Sequence, residues 1–294
     1  MNRRSATFAI ALVALAVNAC SGAAPTYKAS GDVVAPPGPP VPLEVTKPFF
    51  VPGEQMDWQL SLRGVVGGHA QLAVGQPGKI GDHNLIITRS RVESTGVVAL
   101  VKKVSDDVKT WIDFDEGVVK RMEAALRFGK KQSRVEVEFF RGGYNMLYHR
   151  QGRLPHRWRQ RLPSGLVAHE AHSVMAMLRA WRPTANSKAY FFAVGGRRIW
   201  YNVVEYKGSG TVLTAMGKRR AVRIDGVARR LYRSLRFNKK KKPRYYTLWV
   251  SDDDQRLPLL LTARTEYGLV KAELVGYRAP SGSATDAPSA ANAL

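Results

Sequence analysis

Residues 55–62 read QMDWQLSL, and apolar side chains alternate with polar ones along the whole segment. A β-strand with one buried face has this period of two, because successive side chains point to opposite faces. Segments 70–74 and 134–139 repeat the pattern. Further strands are predicted at 85–92, 189–194, 199–206, 211–216, 221–225, 229–237, 245–250, 259–265 and 269–277.

The breaks between these segments are short and contain Gly or polar residues, which favours antiparallel hairpins. One helix interrupts them, since Val167, Ala171, Val174, Leu178 and Trp181 have helical spacing. We therefore predict a mainly β fold: a curved antiparallel sheet of about eleven strands that forms an open or partial β-barrel, with the helix packed on or in it.

The N-terminus has the features of an export signal. Arg3 and Arg4 precede an apolar run at 6–17, which has the length of a signal h-region and is too short to span a bilayer. The run ends in Val17-Asn18-Ala19-Cys20, which resembles the lipobox of bacterial lipoproteins. We predict a signal peptide over 1–19 and lipidation of Cys20; the alternative is an ordinary signal peptide with a free thiol.

Composition divides the rest of the chain. Residues 20–47 are rich in Pro, Gly and Ala and predict a lipidated cysteine on a semi-extended tether. Residues 48–278 are predicted to form a single β-rich domain, and 279–294 a disordered tail. The lipobox resemblance, with Ser21 after the cysteine, implies a lipid-anchored protein of the outer membrane that faces the periplasm.

Charge and cysteine content limit the possible partners. The sequence has 46 Lys and Arg against 23 Asp and Glu, a net charge of +23, and a single cysteine. No disulfide can form within one copy. A positive field of this size attracts anionic partners and is weakened by salt.

Scattered features resemble the bacterial domain-of-unknown-function family 3108 from about Phe50 to Tyr277. The early features are Phe50, Pro52, Gly53, Glu54, Trp58 and the turn 64–68. The later ones are Ser173, Leu178, Arg179, Gly217, Trp249, Ser251, Asp252, Pro258, Gly268, Leu274 and Tyr277. The resemblance implies an exported β-rich domain with an open or partial barrel, and it implies no established activity and no catalytic residue.

Two basic clusters are candidates for binding an anionic ligand. Segment 218–244 has thirteen Lys or Arg residues and one acid, Asp225, and is predicted to be a hairpin. Its candidates are Arg219, Arg220, Arg223, Arg229, Arg230, Lys239, Lys240, Lys241 and Lys242. The second cluster contains Arg157, Trp158 and Arg159 before the helix. The alternatives are a solvated hairpin tip and an ordinary loop.

Enzymatic chemistry is weakly supported. His169, Glu170 and His172 could supply metal ligands or a hydrolase site, but no third ligand, nucleophile or zincin spacing accompanies them. Polar residues at a helix terminus are the simpler interpretation. We predict no catalytic residue, no metal and no cofactor.

These observations predict a non-enzymatic envelope lipoprotein that binds an anionic or acylated envelope component. The partners considered are lipopolysaccharide, anionic lipid and acidic polysaccharide, besides the membrane that holds the anchor. An exported chain without a nucleic-acid-binding motif argues against nucleic acid. The alternative function is a structural or assembly partner of another envelope protein.

Overall fold

The fold is built almost entirely from β-strands. The structure is a computed structural model that describes residues 39–101, 103–265 and 268–280. The first strands are β1 (Val41–Pro42), β2 (Gln55–Leu62), β3 (Val65–Val74), β4 (Gly78–Ile80), β5 (His83–Ser94), β6 (Val104–Asp113), β7 (Val119–Phe128), β8 (Lys131–Phe140) and β9 (Gly143–Arg150). The others are β10 (His156–Arg161), β11 (Ala168–His169), β12 (Lys188–Gly195), β13 (Arg198–Thr214), β14 (Gly217–Arg230), β15 (Arg244–Ser251), β16 (Pro258–Thr265) and β17 (Gly268–Arg278). The helices are α1 (Gly96–Val101) and α2 (Ala171–Ala180).

The long strands form one antiparallel series. Its order is β10, β9, β8, β7, β6, β5, β3, β2, β17, β16, β15, β14, β13, β12. The short β4 pairs with β5, while β1 and β11 pair with β12 in parallel. The series ends at β10 and β12, so the sheet is open rather than a closed barrel, as predicted.

Helix α2 is enclosed by this sheet, and its side chains from Ala171 to Arg179 are buried. Val174 and Leu178 belong to a core cluster that includes residues of β2, β3 and β12 to β17. His172 reaches the other half of the sheet, where it contacts Thr88 on β5 and Thr110 on β6. An element that touches both halves must lie inside the curve, so α2 fills the concave face.

The start of α2 is fixed by a capping box. The carboxylate of Glu170 accepts from the main-chain N–H groups of His172 (2.9 Å) and Ser173 (2.7 Å). The Ser173 hydroxyl in turn accepts from the Glu170 main-chain N–H at 3.1 Å. The first N–H groups of a helix have no partner within it, so this exchange satisfies them inside the core.

The end of α2 is fixed by two buried arginines. Arg179 forms a bidentate pair with Glu54 at 2.5 and 3.0 Å, and its Nε donates to the carbonyl oxygen of Arg256 at 2.9 Å. Arg256 donates back to the carbonyl oxygens of Arg179 (2.8 Å) and Trp181 (3.2 Å). The last carbonyls of a helix need such donors, so these arginines hold the helix end against the sheet.

A second core cluster joins the two ends of the strand series. It contains Met146 and Tyr148 of β9, Phe192 of β12, Ile199 of β13 and Leu231. The two ends of the sheet are therefore brought together by side-chain packing across the concave face.

Most predicted strands are confirmed, with four differences. Segments 199–206 and 211–216 form one strand, β13, with a bulge between Tyr206 and Gly208. The strand predicted at 229–237 is wrong, because β14 ends at Arg230 and Leu231 to Phe237 form only an isolated bridge. The strands β6, β7, β9 and β10 and the short strands β1, β4 and β11 were not predicted. The short α1 adds a second helix to the single one expected.

The predicted signal peptide, Cys20 and almost all of the tail lie outside the described residues. The predicted tether extends too far toward the domain, because Leu43 is buried in the core and β1 pairs with β12. The folded part therefore includes residues 41–43. Among the described residues, no helix combines the length and apolar character needed to cross a membrane.

Candidate functional site

The predicted anion-binding residues lie in three places. Arg219, Arg220, Arg223, Arg229 and Arg230 are on β14, Lys239, Lys240, Lys241 and Lys242 are in the connection from β14 to β15, and Arg157, Trp158 and Arg159 are on β10. The structure brings Arg230 and Trp158 together, because the ends of the sheet meet there. Arg219 is eleven positions before Arg230 on the same extended strand, so at about 3.3 Å per residue it lies roughly 35 Å away.

A small cleft lies where these two regions meet, and we call it the arginine cleft. Its volume is about 130 Å³. Its lining residues are Tyr144, Trp158, Gln160, Arg197, Arg198, Ile199, Arg230, Leu231, Tyr232 and Arg233. None of these lining residues is acidic, so four guanidinium groups share the cleft without a carboxylate.

Three structural elements position the arginines. Gly196 has a positive φ of 56° and, with Arg197, forms the two-residue turn between β12 and β13. Arg198 begins β13, and Arg230 ends β14 directly opposite Trp200. Arg233 follows in the connection from β14 to β15. The cleft thus gathers residues from two connections, the one between β12 and β13 and the one between β14 and β15.

Burial and mutual repulsion act on these arginines. Burial, with Arg230 and Arg197 nearby, lowers the pKa of Arg198 to about 10. Burial and Arg197 also lower the pKa of Arg230. In the described part of the chain, Nε of Arg230 has no hydrogen-bond partner, and no ion pair includes the four cleft arginines. The cleft is electrostatically uncompensated, as a site for an anion would be.

The other wall is supplied by β10, whose side chains alternate between the two faces of the strand. Trp158 and Gln160 line the cleft, whereas the side chain of Arg157 is on the other, exposed face of β10. The Gln160 amide donates to the carbonyl oxygen of Arg233 at 2.9 Å, which ties β10 to the opposite connection. The guanidinium of Arg233 lies 4.6 Å from the Trp158 ring centroid, a cation–π contact.

A second, more open depression of about 400 Å³ adjoins the cleft. It is lined by Arg159, Gln160, Arg161, Arg233, Ser234 and Leu235. Gln160 and Arg233 line both spaces. A ligand with its anionic group in the cleft could therefore extend over Arg159 and Arg161.

Two of the predicted arginines are already paired with acids. Arg220 contacts Asp252 at 3.0 Å, and Arg223 forms a bidentate pair with Asp225 at 2.9 Å for both contacts. A carboxylate that occupies the guanidinium fork competes with an anionic ligand. These two residues are poor candidates for the site and good matched controls.

The polar residues at the start of α2 have structural contacts. Nδ1 of His172 lies 2.9 Å from the Thr88 hydroxyl and 3.0 Å from that of Thr110, and its Nε2 lies 2.8 Å from Ser90. Burial lowers the pKa of His172, an effect partly offset by Glu170. Burial also lowers the pKa of His169 to about 4. Within the described ranges, no three His, Cys, Asp or Glu side chains lie together as metal ligands would.

Several cleft residues were missed by the sequence analysis. Arg197 and Arg198 directly follow Gly195 and Gly196 between two predicted strands, so the sequence could have placed them at a strand connection. Tyr144 and Gln160 gave no such signal, since each is an ordinary inward residue of a strand. Their meeting with Arg230 depends on how the ends of the sheet come together.

Comparisons with known proteins agree with this architecture. The family model described as a protein of unknown function (DUF3108) matches residues 55–275. A β-barrel-like DUF1849 protein of Brucella abortus has a similar structure, with a TM-score of 0.51 and 11% identity over 80% of this chain and 98% of that one. No curated protein matches the chain.

Two more distant solved structures have lower scores. One is a Bacteroides fragilis protein inferred to be exported, with a YmcC-like fold; its TM-score is 0.35 at 8% identity, covering 79% of this chain and 99% of that one. The other is an inferred lipoprotein of Parabacteroides distasonis, with a TM-score of 0.36 at 8% identity, covering 82% and 100%. These similarities concern the fold alone.

Proposed function

The chain belongs to the DUF3108 family, proteins of unknown function, and from its arginine cleft we propose a non-enzymatic envelope lipoprotein that binds an anionic envelope component. The ligand group is a phosphate or carboxylate of an acylated molecule or a polysaccharide. Lipopolysaccharide, anionic phospholipid and acidic polysaccharide all carry such groups.

The observation that carries the proposal is the gathering of Arg197, Arg198, Arg230 and Arg233 without an acid. Placing like charges together in a partly buried site opposes folding unless a counter-charge arrives. Arginine is also suited to the task, because its planar fork binds phosphate and carboxylate in a bidentate manner. A bound anion would satisfy Nε of Arg230 and relieve the repulsion.

The concave face is less suited to the ligand. Helix α2 and the core around Val174 and Leu178 occupy it, so an acyl chain would have to displace the helix. We therefore place the anionic group in the arginine cleft, with any attached chain or sugar over the open depression beside Arg159 and Arg161.

The location proposed for the protein rests on its sequence. The basic and apolar leader and the lipobox-like Val17 to Cys20 support export and lipidation. A diacyl or triacyl cysteine supplies enough buried CH₂ groups for stable anchoring, at about 0.8 kcal/mol each. We propose that the protein is held on the outer membrane and faces the periplasm.

Native mass spectrometry tests the proposal. Protein purified from its own envelope is expected to carry a phosphorylated or carboxylated molecule, and the variant R198M/R230M is expected to lose it. The matched control is R220M, because Arg220 is paired with Asp252 and lies far from the cleft. Equal retention of the molecule by all three proteins would contradict a role for the cleft.

The second candidate is the assembly role, in which the protein supports another envelope protein. A polypeptide that co-purifies with R198M/R230M as well as with the unaltered chain, with no small anion in either, would favour that role over the proposed one.

A further inference from the structure

The antiparallel order places six described connections at the same rim of the sheet. Because neighbouring strands run in opposite directions, every second connection lies at the same end. The connections that share this end are 63–64, 95–101 with 103, 129–130, 151–155, 196–197 and 231–243. We call this end the basic rim. The opposite rim has the short connections 75–82, 114–118, 141–142, 215–216 and 252–257, and the long segment 162–187 between β10 and β12 also begins and ends there.

The exposed apolar side chains are concentrated at the basic rim. Twelve large apolar side chains are exposed in the described residues. Eight lie in its connections or within two residues of them, and a ninth, Leu269, lies at the start of β17, where its carbonyl oxygen accepts from the main-chain N–H of Arg63 at 2.8 Å. These nine are Val65, Val66, Val97, Leu100, Leu154, Tyr232, Phe237, Tyr245 and Leu269. Leu100 and Leu154 are 87% and 83% exposed, so neither is covered by the fold.

The charged residues also differ between the connections of the two rims. Among the described residues, the six connections of the basic rim contain eleven Lys or Arg residues and no acid. The five short connections of the opposite rim contain six acids and three Lys or Arg residues. Basic residues are therefore concentrated at the rim where apolar side chains are exposed.

We propose that the basic rim docks on the surface of an anionic phospholipid bilayer. Clustered Lys and Arg are attracted to anionic headgroups, while Tyr and other amphipathic or apolar side chains enter the interfacial region. The four lysines Lys239 to Lys242 are exposed, and each such lysine near the surface strengthens binding about fivefold.

The composition of the rim fits a membrane better than a protein partner. Its apolar side chains are distributed over separate connections, and the same rim carries Lys103, Lys130 and the lysines 239–242. A protein interface instead has a central apolar patch from which lysine is depleted. Shallow insertion of scattered side chains needs no complementary partner surface.

This inference goes beyond the arginine cleft and does not require it. The two features are nonetheless neighbours, because Arg197, Tyr232 and Arg233 belong both to the cleft lining and to connections of the basic rim. Docking would hold the cleft close to lipid headgroups.

Vesicle co-sedimentation tests the docking. The chain from Ser21 onward keeps every described residue and lacks Cys20, so neither the leader nor a covalent lipid can cause binding. It is expected to sediment with vesicles of three parts phosphatidylcholine to one part phosphatidylglycerol, and to be released by high salt. Pure phosphatidylcholine vesicles are expected to bind it at least about tenfold more weakly.

Two variants of the rim are compared with matched controls. The variant K239Q/K240Q/K241Q/K242Q is expected to lose at least about tenfold in affinity, and L100S/L154S is expected to bind less as well. The controls are K79Q and L213S on the opposite rim, where Leu213 is 75% exposed; they should bind as the unaltered chain does. Urea unfolding checks that each variant is folded.

Equal binding by the rim variants and the controls would overturn the docking proposal, and so would an absence of binding to anionic vesicles. The variant R198M/R230M keeps the lysines and exposed apolar residues of the rim, so it is expected to retain vesicle binding. Loss of the co-purifying anion with retained vesicle binding would separate the cleft from the rim.

Discussion

Two groups of arginines in this molecule have opposite environments. At the end of α2, Arg179 and Arg256 are buried, yet Glu54 and main-chain carbonyl oxygens satisfy them. In the arginine cleft, Arg198 and Arg230 are less buried and have no acid. The difference teaches that the number of basic residues alone does not locate a cleft for a small anion. Arginines that lack a counter-charge locate it, because a bound anion compensates their charge.

The largest expected change in the free energy of unfolding is at the compensated arginines, Arg179 and Arg256. The variant E54Q removes the counter-charge of Arg179, whose side chain is almost fully buried, so it is expected to lower the free energy of unfolding by about 3–5 kcal/mol. Urea denaturation monitored by circular dichroism measures the change.

The double variant E54L/R179M is the matched control. It removes both charges and keeps apolar volume, so it is expected to recover much of the lost stability. A double variant as unstable as E54Q would show that the ion pair itself is not what the single substitution disrupts.

The next effect concerns the polar residues at the start of α2. Burial lowers the pKa of His169 from 6.5 to about 4, so the unfolded chain binds a proton more readily than the folded one. The contribution of neutral His169 to the free energy of unfolding is therefore fully present above about pH 6.5. It falls by about 3 kcal/mol as the pH decreases toward 4. Burial of His172 acts in the same direction.

Urea denaturation between neutral and mildly acidic pH measures this dependence. The variant H169Q is expected to show a shallower loss of stability, while H156Q, altered at an exposed histidine, should follow the unaltered protein. If H169Q and the unaltered chain had the same pH profile, the buried neutral state of His169 would not be responsible.

The smallest change in the free energy of unfolding is expected for a substitution in the arginine cleft. Folding lowers the pKa of Arg198 to about 10, which means that its charge at neutral pH opposes folding. The variant R198M should therefore change the free energy of unfolding by less than about 1 kcal/mol, in the stabilising direction, and added salt should reduce the difference. A destabilisation as large as that of E54Q would contradict the contrast between the two groups.

Much of the fold could be predicted from period-two alternation, but not where polar residues face inward. On β6, Asp106 and Thr110 are buried, which interrupts the apolar pattern. The Thr110 hydroxyl lies 3.0 Å from Nδ1 of His172 on α2, a contact that the sequence of β6 alone does not show. On β10 the segment HRWRQR has little apolar content, as is common for a strand at the edge of a sheet. Two strands had a plain signal that was missed: β7, with Met122, Ala124 and Leu126 at alternate positions, and β9, with Tyr144, Met146 and Tyr148.

The candidate site could be predicted in part. Charge density pointed to Arg230 and Trp158, but it gave equal weight to Arg220 and Arg223, which are paired with acids. Ion pairing depends on which strands are neighbours, because Asp252 follows β15 and reaches Arg220 only through the pairing of β14 with β15. No local pattern contains that information.

The most direct test of the account is a thermal unfolding titration with inorganic pyrophosphate at constant ionic strength. A ligand that binds only the folded state raises the unfolding temperature. The account predicts a rise for the unaltered chain and for R220M, and none for R198M/R230M. An equal rise in all three proteins, or none in any, would contradict the claim that the uncompensated arginines form an anion-binding site.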